Sequence, residues 1–191
     1  MEGLCSDEIN ALMIAEIGAG ARVVAMSTPL LLRQQPLTAA AFAPFGEVIA
    51  TDAAARHFPI NGGTTERYHD LAQLQAGPEG RLIVSIFRGQ PRTLPLTLVL
   101  MERHPLGSQA FVPLSGRPYL IVVARPGTAP RAEDLHCFAA RADQGINYAP
   151  GVWHHPLLAL QATSDFLVID RAGPGSNCDE VGLTPGAVIA P

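Results

Sequence analysis

Lysine is absent: all 13 basic residues of the chain are arginine. That excludes a lysine Schiff base and leaves arginine as the only fixed cation for holding an anionic substrate. Cysteine is scarce, and Cys5, Cys137 and Cys178 are odd in number and far apart. Neither a disulfide framework nor a paired-cysteine zinc site is expected, and a reducing, cytoplasmic setting fits. Charged residues make up only 16% of the chain, with a formal net charge of −4 and no basic run, so nucleic acid is not an expected partner. No apolar run reaches the length of a membrane span, and acidic Glu2, Asp7 and Glu8 stand where a signal peptide carries positive charge. The reading is of a chain neither exported nor inserted in a membrane.

What is present is apolar surface. With 48% hydrophobic residues in 191, the chain can bury a full core and repay its ordering entropy. One functional domain is expected over residues 36–191, preceded by an extension over 1–35 in which Asp7–Glu16 reads as a short helix before Gly18. Thr38 is placed to cap a helix over Ala39–Ala43, ended by Pro44 and followed by a strand Glu47–Ala50. From Leu82 onward short strands alternate with Gly and Pro: Leu82–Phe87, Leu94–His104, Gln109–Leu114, Tyr119–Ala124, His136–Ala139, Gly145–Tyr148, His154–Leu160 and Phe166–Asp170. Strands of that length and spacing predict an all-β-dominated antiparallel sandwich or barrel with a few short helices.

Glu102 and His104 are two apart, so on a strand they face the same side. Pro105-Leu106-Gly107-Ser108 reads as a tight reversal that would lay Gln109 opposite His104. The frame Glu102-x-His104, four residues, Gln109, six residues, Gly116 resembles the first motif of cupin barrels, His-x-His, four residues, Glu, six residues, Gly, with two ligands changed. A second polar cluster, GINYAPGVWHHP over Gly145–Pro156, holds Tyr148 and a Pro-Gly-x-x-His ending at His154. On a strand His154 would share the interior with His104 while His155 points away. A third, INGGTTERYHD over Ile60–Asp70, offers Arg67 and His69 on one face of an extended segment, and Arg88 follows the apolar run Leu82–Phe87. Each of these also has a plain structural role open to it, as a solvated loop, a satisfied histidine or a surface cap.

Taken together, INGGTTERYHDLA, RGQP at Arg88–Pro91, LPLTLVLMERHPLGSQAFVPLSG, QGINYAPGVWHHPL and DFLVIDRAGPGSNCDE closely resemble the ureidoglycolate lyase family, over roughly residues 36 to 183. The resemblance implies a cupin-like jelly-roll barrel, usually a homodimer, that cleaves ureidoglycolate to glyoxylate and urea late in allantoin, and hence purine, breakdown.

That reaction needs a cation for the carboxylate, a base for the hydroxyl proton and an acid for the departing nitrogen. Arg67 or Arg88 is expected to bind the carboxylate. His104 and His154 are the expected base and acid in an open order, with Glu102 orienting a histidine or acting itself and His69 in reserve. Gln109 and Tyr148 are expected to contact the substrate. No cofactor is required by the chemistry. A weakly held divalent metal, Mn or Zn, would use Glu102, His104, Gln109 and His154, a poorer donor set than the full cupin one because an amide replaces a carboxylate. A metal-dependent cupin of another class and a non-catalytic small-acid binder remain open alternatives.

Overall fold

The alternation in the sequence resolves into two main β-sheets with an apolar layer between them, and a separate two-stranded hairpin. The computed structural model describes residues 29–191, so the helix expected at Asp7–Glu16 lies outside the described residues. The smaller sheet has five antiparallel strands in the order Gly46–Ile49, Gly145–Tyr148, Gln109–Pro113, Ser164–Ala172 and Arg81–Gly89. The larger runs Leu30–Leu32, Asp179–Ile189, Leu96–Arg103, Trp153–His154, Tyr119–Ala124, His136–Ala140, Gln34–Pro36, with Leu158–Ala159 also on Tyr119–Ala124. Its two outermost pairings, at Leu30–Leu32 and Gln34–Pro36, are parallel.

Residues of both sheets meet in one core. Phe111, Ile146, Tyr148, Phe166 and Val168 come from the smaller sheet, and Tyr119, Ile121, Val123 and Phe138 from the larger. Tyr119–Ala124 is buried on both faces: Tyr119, Ile121 and Val123 join this core, while Leu120, Val122 and Ala124 join a second cluster with Leu98, Met101 and Trp153. That explains why this strand reads as an unbroken apolar run rather than an alternating one. The helix Ala39–Phe42 closes the core, with Thr38 Oγ1 accepting the Ala41 N–H at 3.2 Å and Phe42 fully buried. The architecture is a mostly β, nearly closed barrel of the cupin jelly-roll kind. Among the described residues no helix is long and apolar enough to cross a membrane.

Several expectations change. The segment Pro105–Ser108 does reverse the chain, but Leu96–Arg103 and Gln109–Pro113 belong to different sheets, so it is a corner and not a hairpin turn. Gln109 pairs with Tyr148 instead of facing His104 across a ladder. The corner is tight: a Cβ on Gly107 would lie 2.7 Å from the Arg171 Cβ. The run His154–Leu160 is split into Trp153–His154 and Leu158–Ala159, because Pro156 has no N–H to give a ladder. Residues 30–35, assigned to the extension, together with Pro36 supply two strands of the larger sheet, and Asp179–Ile189, the longest strand among the described residues, was not expected at all.

Candidate active site

Glu102, near the end of Leu96–Arg103, pairs in register with His154. His104 follows two residues on, so both side chains enter the same space. From the facing sheet comes Tyr148, whose ring lies flat on the His154 ring at 4.2 Å and 13°. The His104 and His154 rings are 5.1 Å apart. Glu102, Tyr148, His154 and His155 line one small cleft with Phe111 and Leu157.

The hydrogen bonds fix which nitrogen of each imidazole is left free. His104 Nδ1 lies 2.6 Å from the Asn177 carbonyl oxygen and His154 Nδ1 lies 3.0 Å from that of Val152. A carbonyl can only accept, so both Nδ1 atoms carry the proton and donate. Both Nε2 atoms are then lone-pair bearing, and both are buried without a hydrogen-bond partner. His154 Nε2 stands 3.4 Å from Glu102 Oε1, an approach of two electron-rich atoms that is favourable only with a proton or a cation between them. The donor atoms of Glu102, His104 and His154 all lie within 4.8 Å of one another, and Glu102 gathers in the same way with Cys178 and Glu180.

Burial works to raise the Glu102 carboxyl, but the contact with His154 and the positive charge available on His154, His104 and His155 outweigh it and hold the carboxyl below its ordinary value. Burial, helped by His154, holds His104 below an ordinary imidazole despite the Asn177 carbonyl, Glu102 and Asp170. Burial also lowers His155, and the Arg92 guanidinium adds to that. Burial pushes the Tyr148 phenol up, so its hydroxyl stays protonated.

Of the residues singled out in the sequence, Glu102, His104, His154 and Tyr148 come together, and Gln109, buried and paired with Tyr148, adjoins them. Arg88 does not: its guanidinium forms a two-pronged ion pair with Asp165 at 2.7 and 2.9 Å on the surface. Arg67 and His69 lie on and just after the hairpin His57–Ile60 and Thr65–Tyr68, a two-stranded sheet of its own. Arg67 is exposed, and the part-buried His69 ring lies 5.6 Å from Phe58.

Asp170, Asn177 and Arg92 went unnoticed in the sequence. Asp170 stands on Ser164–Ala172, two residues beyond buried Val168, so it turns inward. Burial raises its carboxyl, opposed by a hydrogen bond from Gln109 and the charge of His104. Asn177 holds His104 through its backbone carbonyl and the corner through its side chain, whose Oδ1 accepts the Leu106 N–H at 2.8 Å. The only signal for either residue was its place in the segment DFLVIDRAGPGSNCDE, where neither stood in a recognisable spacing.

Residues 29–190 match the ureidoglycolate lyase family profile. A ureidoglycolate lyase of Azotobacter vinelandii is 59% identical over 151 residues, covering 78% of this chain and 90% of that protein. One from Burkholderia cepacia is 55% identical over 159 residues, covering 83% and 89%. One from Pseudomonas syringae pv. syringae is 56% identical over 147 residues, covering 76% and 86%.

Proposed function

The chain belongs to the ureidoglycolate lyase family, and from that premise we propose how the cleft splits ureidoglycolate into glyoxylate and urea. The substrate carries a hydroxyl, a carboxylate and a ureido nitrogen on one carbon. The hydroxyl proton is removed, its oxygen collapses to the carbonyl of glyoxylate, the carbon–nitrogen bond breaks, and a proton returns to the nitrogen leaving as urea. No water is consumed and no electrons change hands.

The observation that carries this reading is the pair of buried imidazoles whose unpartnered Nε2 atoms converge beside Glu102. His104, kept neutral by burial, takes the hydroxyl proton as base. With a proton on its Nε2, 3.4 Å from Glu102 Oε1, His154 gives that proton to the leaving nitrogen as acid, and the Glu102 carboxylate supports the charged ring. Tyr148, stacked on His154, holds that ring in place. The substrate carboxylate is assigned to Arg67, which is exposed and makes no ion pair among the described residues, whereas Arg88 is tied to Asp165. His69, at the foot of the same hairpin, is the reserve.

The same donors fit a divalent ion: their Nδ1–H groups are anchored on backbone carbonyls and their Nε2 lone pairs are free to ligate, as in metal-binding histidines generally. Glu102, His104 and His154 would hold it, Gln109 being a weaker neutral donor. A bound Mn or Zn would supply Lewis acidity. The proton steps assigned above need none.

A homodimer, expected of the family, is supported by the edge strand Arg81–Gly89, where Leu82, Val84 and Ile86 are 40%, 67% and 56% exposed. An uncovered apolar edge of that kind invites a partner, and sedimentation of the purified protein tests it.

The deciding assay measures glyoxylate and urea from one preparation, with and without chelator. Equal amounts in both support the lyase with no required metal. Activity lost on chelation and regained with Mn or Zn moves Glu102, His104 and His154 to ligand roles. No glyoxylate under any condition rejects the reading.

A further inference from the structure

Gln109 occupies the place where the cupin frame has a carboxylate, and a carboxylate stands behind it. Gln109 lies on Gln109–Pro113 and Asp170 on the neighbouring strand Ser164–Ala172, where Ile169 pairs with Ala110. Asp170 is the next residue beyond Ile169 and Gln109 the one before Ala110, so the two side chains stand across the ladder from each other, and the Gln109 amide helps hold the Asp170 carboxyl down against burial. An ionised carboxylate has acceptors only, so the amide must turn its NH2 to Asp170. The other end, Gln109 Oε1, is then left buried with no partner. An amide alone has two nearly equivalent orientations, and this neighbour selects one of them.

We propose that Asp170 is a positioning residue that fixes the Gln109 amide with its carbonyl oxygen turned into the cleft, where it accepts a hydrogen bond from the terminal NH2 of the substrate's ureido group. The inference rests on the lyase reading and deepens it by naming what recognises the urea end. An unpaired buried acceptor rejects ligands that lack an N–H, because binding them leaves it without water or partner. A carbamate ester or a second carboxylate in place of the ureido amide is excluded on that ground. The carboxylate missing from the frame is in this view moved one strand away, where it aims an acceptor.

Four proteins test this with glyoxylate release as the readout: wild type, Asp170→Asn, Gln109→Glu, and the double exchange Gln109→Glu with Asp170→Asn. In Gln109→Glu two carboxylates face each other. In Asp170→Asn the amide loses its fixed orientation. Each single change is expected to raise KM about tenfold with a smaller fall in kcat. The double exchange restores a donor behind an acceptor, and its KM is expected to return to within about threefold of wild type. A double variant no better than the worse single, or an unchanged KM in folded Asp170→Asn, overturns the assignment. If the double variant does not fold, the isosteric Asp170→Asn decides alone by its KM against kcat. Wild-type protein that releases no glyoxylate fails the lyase reading itself, a result distinct from an active wild type whose exchange variant is not rescued.

Discussion

The interior has two ends built on opposite rules, with Tyr119 reaching from the first into the lining of the cleft. At one, Phe42, Phe45, Phe138, Tyr119 and Phe166 interlock edge to face or tilted, with neighbouring ring centroids 5.0 to 6.0 Å apart, and the Tyr119 hydroxyl donates to the Gln144 carbonyl at 3.0 Å. At the other, His104 Nε2, His154 Nε2, Gln109 Oε1 and Asp170 Oδ1 are all buried without partners. They are four of the six such side-chain atoms among the described residues. Unpaired buried polar atoms cost stability, on the order of 1–3 kcal/mol each, so the four open atoms gain from any partner that reaches them, whereas the Tyr119 hydroxyl is already satisfied. In the proposal above, stability resides in the aromatic end and chemistry in the polar end.

The sharpest way to break this division is to remove an imidazole. His104→Ala and His154→Ala are each expected to lower kcat by about 10²–10⁴ while changing unfolding free energy by no more than about 2 kcal/mol. Activity within tenfold of wild type would dissolve the assignment. The converse change, Phe166→Ala, is expected to cost about 3–5 kcal/mol in denaturant unfolding, with kcat per folded molecule kept. A midpoint that barely moves would mean the aromatic end is not what holds the sandwich together.

Acid offers a finer separation. His104 has a folded value held below 6.5, so the unfolded chain takes up its proton first and stability falls as pH drops below about 6.5. His155, lowered mainly by burial, acts in the same direction. Glu102, held below 4.5 despite burial, adds a second loss that begins as pH falls past 4.5, while Asp170, raised by burial, works against it. Unfolding curves from pH 8 to 2.5 should therefore decline in two stages, and His104→Gln should flatten the first. An unaltered first stage in that variant would detach His104 from it. The smallest expected effect is at the helix: Thr38→Ala is predicted to cost about 1 kcal/mol with unchanged turnover, and any loss of activity would mean that the two ends are coupled.

Most of the strands were legible because their apolar residues recur at the period of a pleat between Gly and Pro. The longest was not, since Asp179–Ile189 contains Pro185 and Gly186, residues that ordinarily argue against a strand. The ladder tolerates them at a break in register between Gly182 and Ala187. The corner at Pro105–Ser108 was read as a hairpin because turn residues reveal that the chain reverses, not which sheet receives it. Glu102 and His104 could be paired by their spacing alone, and His154 by strand phase. Asp170 could not, because its proximity to Gln109 depends on the order of strands in a sheet, and no local pattern encodes that order. The alternation also could not tell that Arg88 would be neutralised by Asp165, which lies 77 positions away in sequence.

The chain holds one tryptophan, and it is the residue immediately before His154. Trp153 is buried beneath the Arg103 guanidinium, 4.5 Å from the ring centroid, and its indole N–H reaches the Gly127 carbonyl at 3.4 Å. Light emitted by this molecule under tryptophan excitation therefore originates one peptide unit from His154. The enzyme carries an intrinsic optical probe on the strand that also bears His154.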